Sequence, residues 1–289
     1  MKIIAVKNNK GGCGKSTSII NIAGWLAKEF GKRVLCIDAD FGQASITRLL
    51  LYENIVGAKK ENYIKQKSYK YYPGESFTLR DYFEKKCTLN QAIKPSLISV
   101  RANCHPSNKG IYVLPIPVED YELEGLCTAD NVKRLFDDIK KSGKYDYVLV
   151  DCAPRQDVFG EEILKTVCDS VIVPAEMDFL ELDTVYSLMS KINNIRETTN
   201  PNLESLGILL TKVDKRKKTT REPYMAIVNE LDSSKLPIEI PLDNDYRTYS
   251  AFGGCTAYIG TSSALSRAYQ DLTRYIVQIS DDREMEVEQ

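Results

Sequence analysis

The chain reads as an α/β protein: one doubly wound, mostly parallel sheet with helices on both faces. Three observations predict this. Short apolar runs alternate with stretches of helical periodicity along most of the length, the pattern of a parallel sheet. The run Tyr147-Val148-Leu149-Val150 has no polar alternation, as a strand buried on both faces requires. A glycine-rich turn, Asn9-Lys10-Gly11-Gly12-Cys13-Gly14-Lys15-Ser16-Thr17, lies between the first apolar run and the first helical pattern.

The first strand is Lys2 to Val6. The helix after the glycine turn runs from about Ser16 to Phe30, with Ile19, Ile22, Ala23, Leu26 and Phe30 at helical spacing, and Gly31 ends it. Arg33 to Ile37 is the second strand and leads into Asp38-Ala39-Asp40, completing a βαβ unit. Residues 51–78, rich in lysine and tyrosine and closing on Pro73-Gly74, read as a surface insertion with little regular structure. Short helices are expected near Leu79–Glu84 and Leu89–Ile93, then a strand from Gly110 to Pro115. A helix from about Ala129 to Lys141 buries Val132, Leu135, Phe136 and Ile139. Further strands are expected at Tyr147–Asp151, Ser170–Pro174, Leu206–Val213 and Leu236–Ile240, with a helix carrying Val185, Leu188, Met189, Ile192 and Ile195 between the middle two. The last helix spans about Ser262 to Ile279, and the acidic tail 281–289 is expected to fray. No linker divides residues 1–280, so they form one domain. Right-handed crossovers then bring the loops after Val6, Asp40 and Asp151 to one edge of the sheet.

Bulk properties narrow the function. The 289 residues carry 39 basic and 40 acidic side chains, a net charge of −1, so nucleic acid would have to meet a local basic patch. Hydrophobic content of 43% and charged content of 27% are ordinary for a soluble globular protein. No apolar stretch approaches the roughly 20 residues that span a bilayer. Residues 1–7 read as a strand and not as a signal peptide, because the glycine turn follows at once. Eight cysteines, none in a C-x-x-C spacing, fit small buried side chains in a reducing compartment. The single histidine, His105, falls in a polar stretch and is expected at the surface.

The glycine turn is a phosphate-binding loop by its chemistry. Glycines let successive backbone N–H groups point at one anion, and the helix that starts there adds its positive dipole end. Lys15 can reach terminal phosphates, and the Ser16 hydroxyl can ligate Mg²⁺. A Mg²⁺ shell also needs a carboxylate at a strand end, and Asp151 fits. Asp38 and Asp40, two residues apart at the end of the second strand, lie near the same phosphates.

The core Lys10-Gly11-Gly12-Cys13-Gly14-Lys15-Ser16, with Asn9 where the strict pattern has glycine, resembles the deviant Walker A loop of the ParA/MinD ATPases, a branch of the P-loop NTPases. The spelling is closest to the short ParA/Soj-like partition ATPases. The likeness extends over nearly the whole chain. Asp151-Cys152-Ala153-Pro154 resembles the family's Walker B, with Ala153 in place of a proline. Val173-Pro174-Ala175-Glu176 matches a strand end, and Ile240-Pro241 through Ala251-Phe252-Gly253 matches in part, with Leu242 in place of an arginine. Asp40-Phe41-Gly42 is spelled more like MinD-type members.

The resemblance implies an ATPase using ATP and Mg²⁺ at a low basal rate. It assigns the nucleotide to residues 10–17 (Lys10, Gly11, Gly12, Cys13, Gly14, Lys15, Ser16, Thr17) together with Thr211 and Asp214. Asp40 would serve the attacking water, Asp38 would support the loop and the metal, and Ser16 and Asp151 would ligate it. Lys10 would cross to the phosphates held by a second copy, making a homodimer bridged by ATP. Thr211-Lys212-Val213-Asp214 could read either purine, since a T-K-x-D sequence also reads guanine in signal-recognition GTPases; adenine fits the rest of the loop. Such proteins bind non-specific DNA as dimers and are released by a centromere-binding, ParB-like partner, in bacterial cytoplasm on the nucleoid. The basic residues available for DNA are Lys212, Lys215, Arg216, Lys217, Lys218, Arg221 and Arg247. A MinD-like membrane-cycling ATPase and a nucleotide-switched scaffold with negligible turnover are the alternatives. The acidic tail would be repelled by anionic lipid, which argues against the first. The ligand spacings of related Fe–S ATPases are not visible.

Overall fold

The computed structural model describes residues 1–51, 77–98, 110–117, 120–154, 158–176, 179–214, 235–246, 254–259 and 263–287. In chain order the elements are β1 (Lys2–Val6), α1 (Lys15–Lys28), β2 (Arg33–Ala39), α2 (Ser45–Leu51), α3 (Leu79–Phe83), α4 (Leu89–Ala92), β3 (Lys94–Pro95), β4 (Gly110–Leu114), a 3-10 helix (Tyr121–Leu126), α5 (Ala129–Ser142), β5 (Tyr147–Cys152), α6 (Val158–Thr166), β6 (Ser170–Glu176), α7 (Phe179–Thr198), β7 (Glu204–Thr211), α8 (Thr256–Ile259) and α9 (Ala264–Val287).

The sheet order is β3-β4-β2-β5-β1-β6-β7, and every pairing is parallel except that of β3 with β4. Successive side chains of a strand alternate faces, and the core divides accordingly. Ile3, Ala5, Leu35, Ile37, Val148 and Val150 pack under α5, α6 and α7 on one face. Ile4, Val6, Val34, Cys36, Tyr147 and Leu149 pack under α1, α2 and α9 on the other. This is the doubly wound architecture expected. It aligns Val6 with Asp151 and Asp151 with Asp38 across three adjacent strands. The loops after β1, β2 and β5 therefore leave the sheet from one level.

Local chemistry explains the helix ends. Thr128 caps α5, accepting from the Asn131 amide at 3.3 Å, and Gly143 closes it with a φ of 60°. Thr78 with Asp81, and Thr88 with Gln91, form capping boxes on α3 and α4. Close packing of α1 on the segment entering α8 needs Gly24. A β-carbon there would lie 2.1 Å from Cys255 Sγ.

Several expectations are corrected. The sequence does not form a strand at Leu236–Ile240. Pro237 cannot donate to a ladder, and the segment meets the sheet only through bridges Ile208 to Lys235 and Val213 to Pro241. Even so, the Leu236 and Ile240 amides donate to Ile208 and Leu210. β7 stops at Thr211, short of Val213, because Lys212 turns the chain with a φ of 53°. The last helix continues through Val287, into the segment expected to fray; its residues 281–287 include strong helix formers. The insertion expected at 51–78 is narrower at both ends. Leu51 closes α2, Phe77 packs against the core and Thr78 caps α3, while 52–76 lie outside the described residues. His105 lies outside them too. α2, α6, β3 and the 3-10 helix were not anticipated.

Candidate nucleotide-binding site

The glycine turn adopts a conformation that only its glycines allow easily. Gly12 and Gly14 have φ values of 80° and 92°, and Gly14 stands at the amino end of α1 in the left-handed region. Three residues pin the turn to neighbouring strand ends. Asn8, fully buried, donates from Nδ2 to the Pro174 carbonyl at 2.6 Å and accepts the Lys10 amide at 3.1 Å. Thr211 Oγ1, at the end of β7, donates to the Cys13 carbonyl at 2.9 Å and lies 3.3 Å from that of Ala175. Lys7, also buried, donates to the Ala153 carbonyl at 3.3 Å. Within the turn, Lys15 Nζ donates to the Lys10 carbonyl at 2.8 Å, and the Cys13 thiol reaches the same oxygen at 3.4 Å.

The carboxylates have separate tasks. Ser16 Oγ donates to Asp151 Oδ2 at 2.5 Å, while Asp151 Oδ1 is buried with no hydrogen-bond partner among the described residues. An orphaned buried oxygen beside a hydroxyl is what a hard divalent cation requires, so Ser16 and Asp151 fit Mg²⁺. Asp38 differs. Its Oδ1 accepts the Asp40 amide at 3.2 Å and its Oδ2 the Thr47 amide at 2.9 Å, one from the loop after β2 and one from the first turn of α2. The structure thus gives Asp38 a part in supporting the loop. Asp40 uses Oδ1 to accept the Gly42 and Gln43 amides at 3.2 and 3.1 Å. No described residue bonds its Oδ2.

Electrostatics follow from burial. Desolvation, first, and then the charge on Asp40 push the Asp38 carboxyl up to about 7, against the hydrogen bonds that favour its charged form. Burial and the neighbouring Asp38 also raise Asp151 well above the usual carboxylate range, while the Ser16 bond and Lys15 act the other way. The paired carboxylates thus form an electrostatic deficit that added positive charge relieves.

A cavity of about 480 Å³ adjoins the turn. Gly14 and Thr17, Thr211 and Lys212, and the segment from Ile240 to Asn244 with Tyr246 line it. It has the size and mixed lining of a small-molecule site. Sequence reasoning assigned Thr211 and Thr17 to the nucleotide but gave the 240–246 segment no part in holding it. Asp214, assigned with them, is not among the lining residues. Lys212, expected to contact DNA, forms an ion pair with Glu176. Lys215, Arg216, Lys217, Lys218, Arg221 and Arg247 lie outside the described residues. Asn8, Thr47 and Lys7 were missed. Their only signal was their position next to a strand end or one turn into a helix.

The model of the AAA domain family matches residues 1–205. The chain belongs to that family. It is 27% identical over 289 residues to the chromosome partitioning protein ParA of Caulobacter vibrioides, covering 98% of this chain and 97% of that one. It is 27% identical over 278 residues to the chromosome-partitioning ATPase Soj of Thermus thermophilus, covering 95% and 94%. Among solved structures, the cell division ATPase MinD of Pyrococcus furiosus superposes with a TM-score of 0.69 at 19% identity, covering 96% and 99%. A cobyrinic acid a,c-diamide synthase from Mycobacterium smegmatis with bound ADP and magnesium gives 0.66 at 22%, covering 96% and 94%. The two structures establish the fold. The family match and these relatives are consistent with a ParA/MinD-type ATPase. No helix among its described residues is long and apolar enough to cross a membrane.

Proposed function

We propose that the protein is a Mg²⁺-dependent ATPase of the partition type. Two copies dimerise around two ATP molecules, the dimer binds DNA without sequence preference, and a ParB-like partner releases it by stimulating hydrolysis. The observation that carries this reading is the turn itself, a phosphate loop with a second lysine at position 10, in a chain aligned with ParA over 98% of its length. The proteins similar to it include one crystallised with ADP and magnesium, which supports the nucleotide and the metal.

The chain's own residues divide the work. The turn's amides and Lys15 cradle the phosphates, and the cavity beside Thr211 takes the nucleoside. Bound Mg²⁺ would neutralise phosphate charge. Ser16 and Asp151 would hold it. Asp40, its carboxylate fixed through Oδ1, orients the attacking water with Oδ2. Lys10 supplies positive charge to the partner's triphosphate, the role of an arginine finger, worth about 10³–10⁵ in rate elsewhere. Phosphoryl transfer asks mainly for such positioning and neutralisation. The basic residues from 212 to 221, with Arg247, would supply salt-dependent phosphate contacts on DNA.

Size-exclusion chromatography without nucleotide, with ADP and with ATP, repeated with added DNA, tests the reading. A dimer with ATP alone that co-elutes with DNA is the expected result. A monomer in all conditions rejects it. ATP-dependent co-sedimentation with anionic vesicles in place of DNA would move the assignment to the MinD type.

A further inference from the structure

Tyr121 opens the 3-10 helix after β4, next to the loop that follows β2 on the carboxyl edge of the sheet. It is 56% exposed, more than any other large hydrophobic side chain described. Burial does not hold it there. Its neighbours do. Arg80 Nη1 donates to both oxygens of Asp120, at 2.7 and 2.8 Å, and Nη2 to Glu122 at 3.1 Å. Arg80 is itself tied to Glu84, one turn along, at 3.2 Å, and Leu123 is fully buried. A planar, forked cation holding both flanking residues fixes the backbone from which the ring projects.

The ring is held over Gly42. A β-carbon built on Gly42 would lie 3.4 Å from Tyr121 Oη, 3.5 Å from its Cε1, and 3.5 Å from Asp40 Oδ1. The tyrosine edge and the Asp40 carboxylate therefore border the same point in space. The Gly42 and Gln43 amides are the two groups that lock Asp40 Oδ1.

We infer that Tyr121 is a positioning residue for hydrolysis: its ring, presented by the Arg80 clamp, backs the 40–43 turn and so keeps Asp40 in the geometry that serves water. The inference rests on the role proposed above for Asp40. Both Oη and the ring edge at Cε1 border the space over Gly42, and the inference asks the bulk of the aromatic ring to occupy it. Loss of the ring lets the turn drift, and misplacement of a catalytic group by about 1 Å can cost about a hundredfold in rate.

The test compares wild type, Tyr121→Ala and Tyr121→Phe in steady-state ATP hydrolysis with Mg²⁺, and in hydrogen exchange at the Gly42 and Gln43 amides without nucleotide. Tyr121→Ala should lower kcat about tenfold or more and change KM by less than about twofold, with Tyr121→Phe restoring most of the turnover. Exchange at the two amides should quicken in Tyr121→Ala alone. Unchanged exchange in Tyr121→Ala overturns the inference, as does a defect confined to KM or to dimer formation. A wild type that hydrolyses no ATP, even with DNA and a stimulating partner added, would instead refute the role of Asp40. The exchange measurement then decides alone whether Tyr121 holds the turn.

Discussion

At the scale of single residues, the carboxylates on β2 and β5 make opposite demands. Asp38 is a buried acid whose folded-state pKa, about 7, exceeds its ordinary value of 3.8. Between those values the native protein holds a proton that the unfolded chain has released. Stability of the nucleotide-free protein should therefore fall as pH rises from about 4 through about 7. Asp38→Asn should weaken that dependence without abolishing it, because Asp151 is raised for the same reason and remains. Thermal scans from pH 5 to pH 8 check this; equal slopes in the two proteins would refute it. Asp40 is held differently, with Oδ1 accepting two backbone amides at a half-buried turn. Asp40→Ala should still bind ATP and dimerise but lose turnover by at least about 10²-fold, read as a long-lived ATP dimer on a sizing column. Lys15→Ala should abolish nucleotide binding measured by equilibrium dialysis.

At the scale of elements, α1 depends on a close approach. Gly24 admits Cys255 Sγ to a distance no β-carbon would tolerate. Gly24→Ala should cost about 1–3 kcal/mol by overpacking, and Cys255→Ala in the same chain should recover part of it; urea titrations of the single and double variants measure the coupling. Elements with long apolar periodicity were legible from sequence alone. β1, α1, β5 and α5 fall within two residues of their expected limits. Short elements were not: α2 and α6 span only 7 and 9 residues, with apolar burial limited to Ile46, Leu50 and Leu51 in one and to Phe159, Ile163 and Leu164 in the other, about two turns of periodic signal each. The segment 236–240 misled because an apolar pattern says nothing about which amides are missing, and Pro237 lacks one. At the site, the turn and its acids were legible because phosphate chemistry restricts which residues can serve. The supports, Asn8, Thr47 and Tyr121, were not, since their partners are brought together only by the sheet register.

At the scale of the whole molecule, the sheet sets three loops at one level, and the proposed activity needs a second copy facing them. Lys10→Ala should bind ATP with near-normal affinity yet fail to form the ATP dimer, which multi-angle light scattering decides; a full dimer in that variant would remove Lys10 from the interface. ATP with Mg²⁺ should raise the melting temperature of the wild type more than ADP does, because only the triphosphate stabilises both the site and the contact between copies.

Lys15 already spends its ammonium on the carbonyl of Lys10. A triphosphate entering the loop competes for that same ammonium, so filling one pocket unlatches the stretch of chain from which the other lysine reaches out. Under the proposed function, binding at one pocket would then loosen the backbone that carries the residue meant for the other, so that occupancy and contact between copies would rise together.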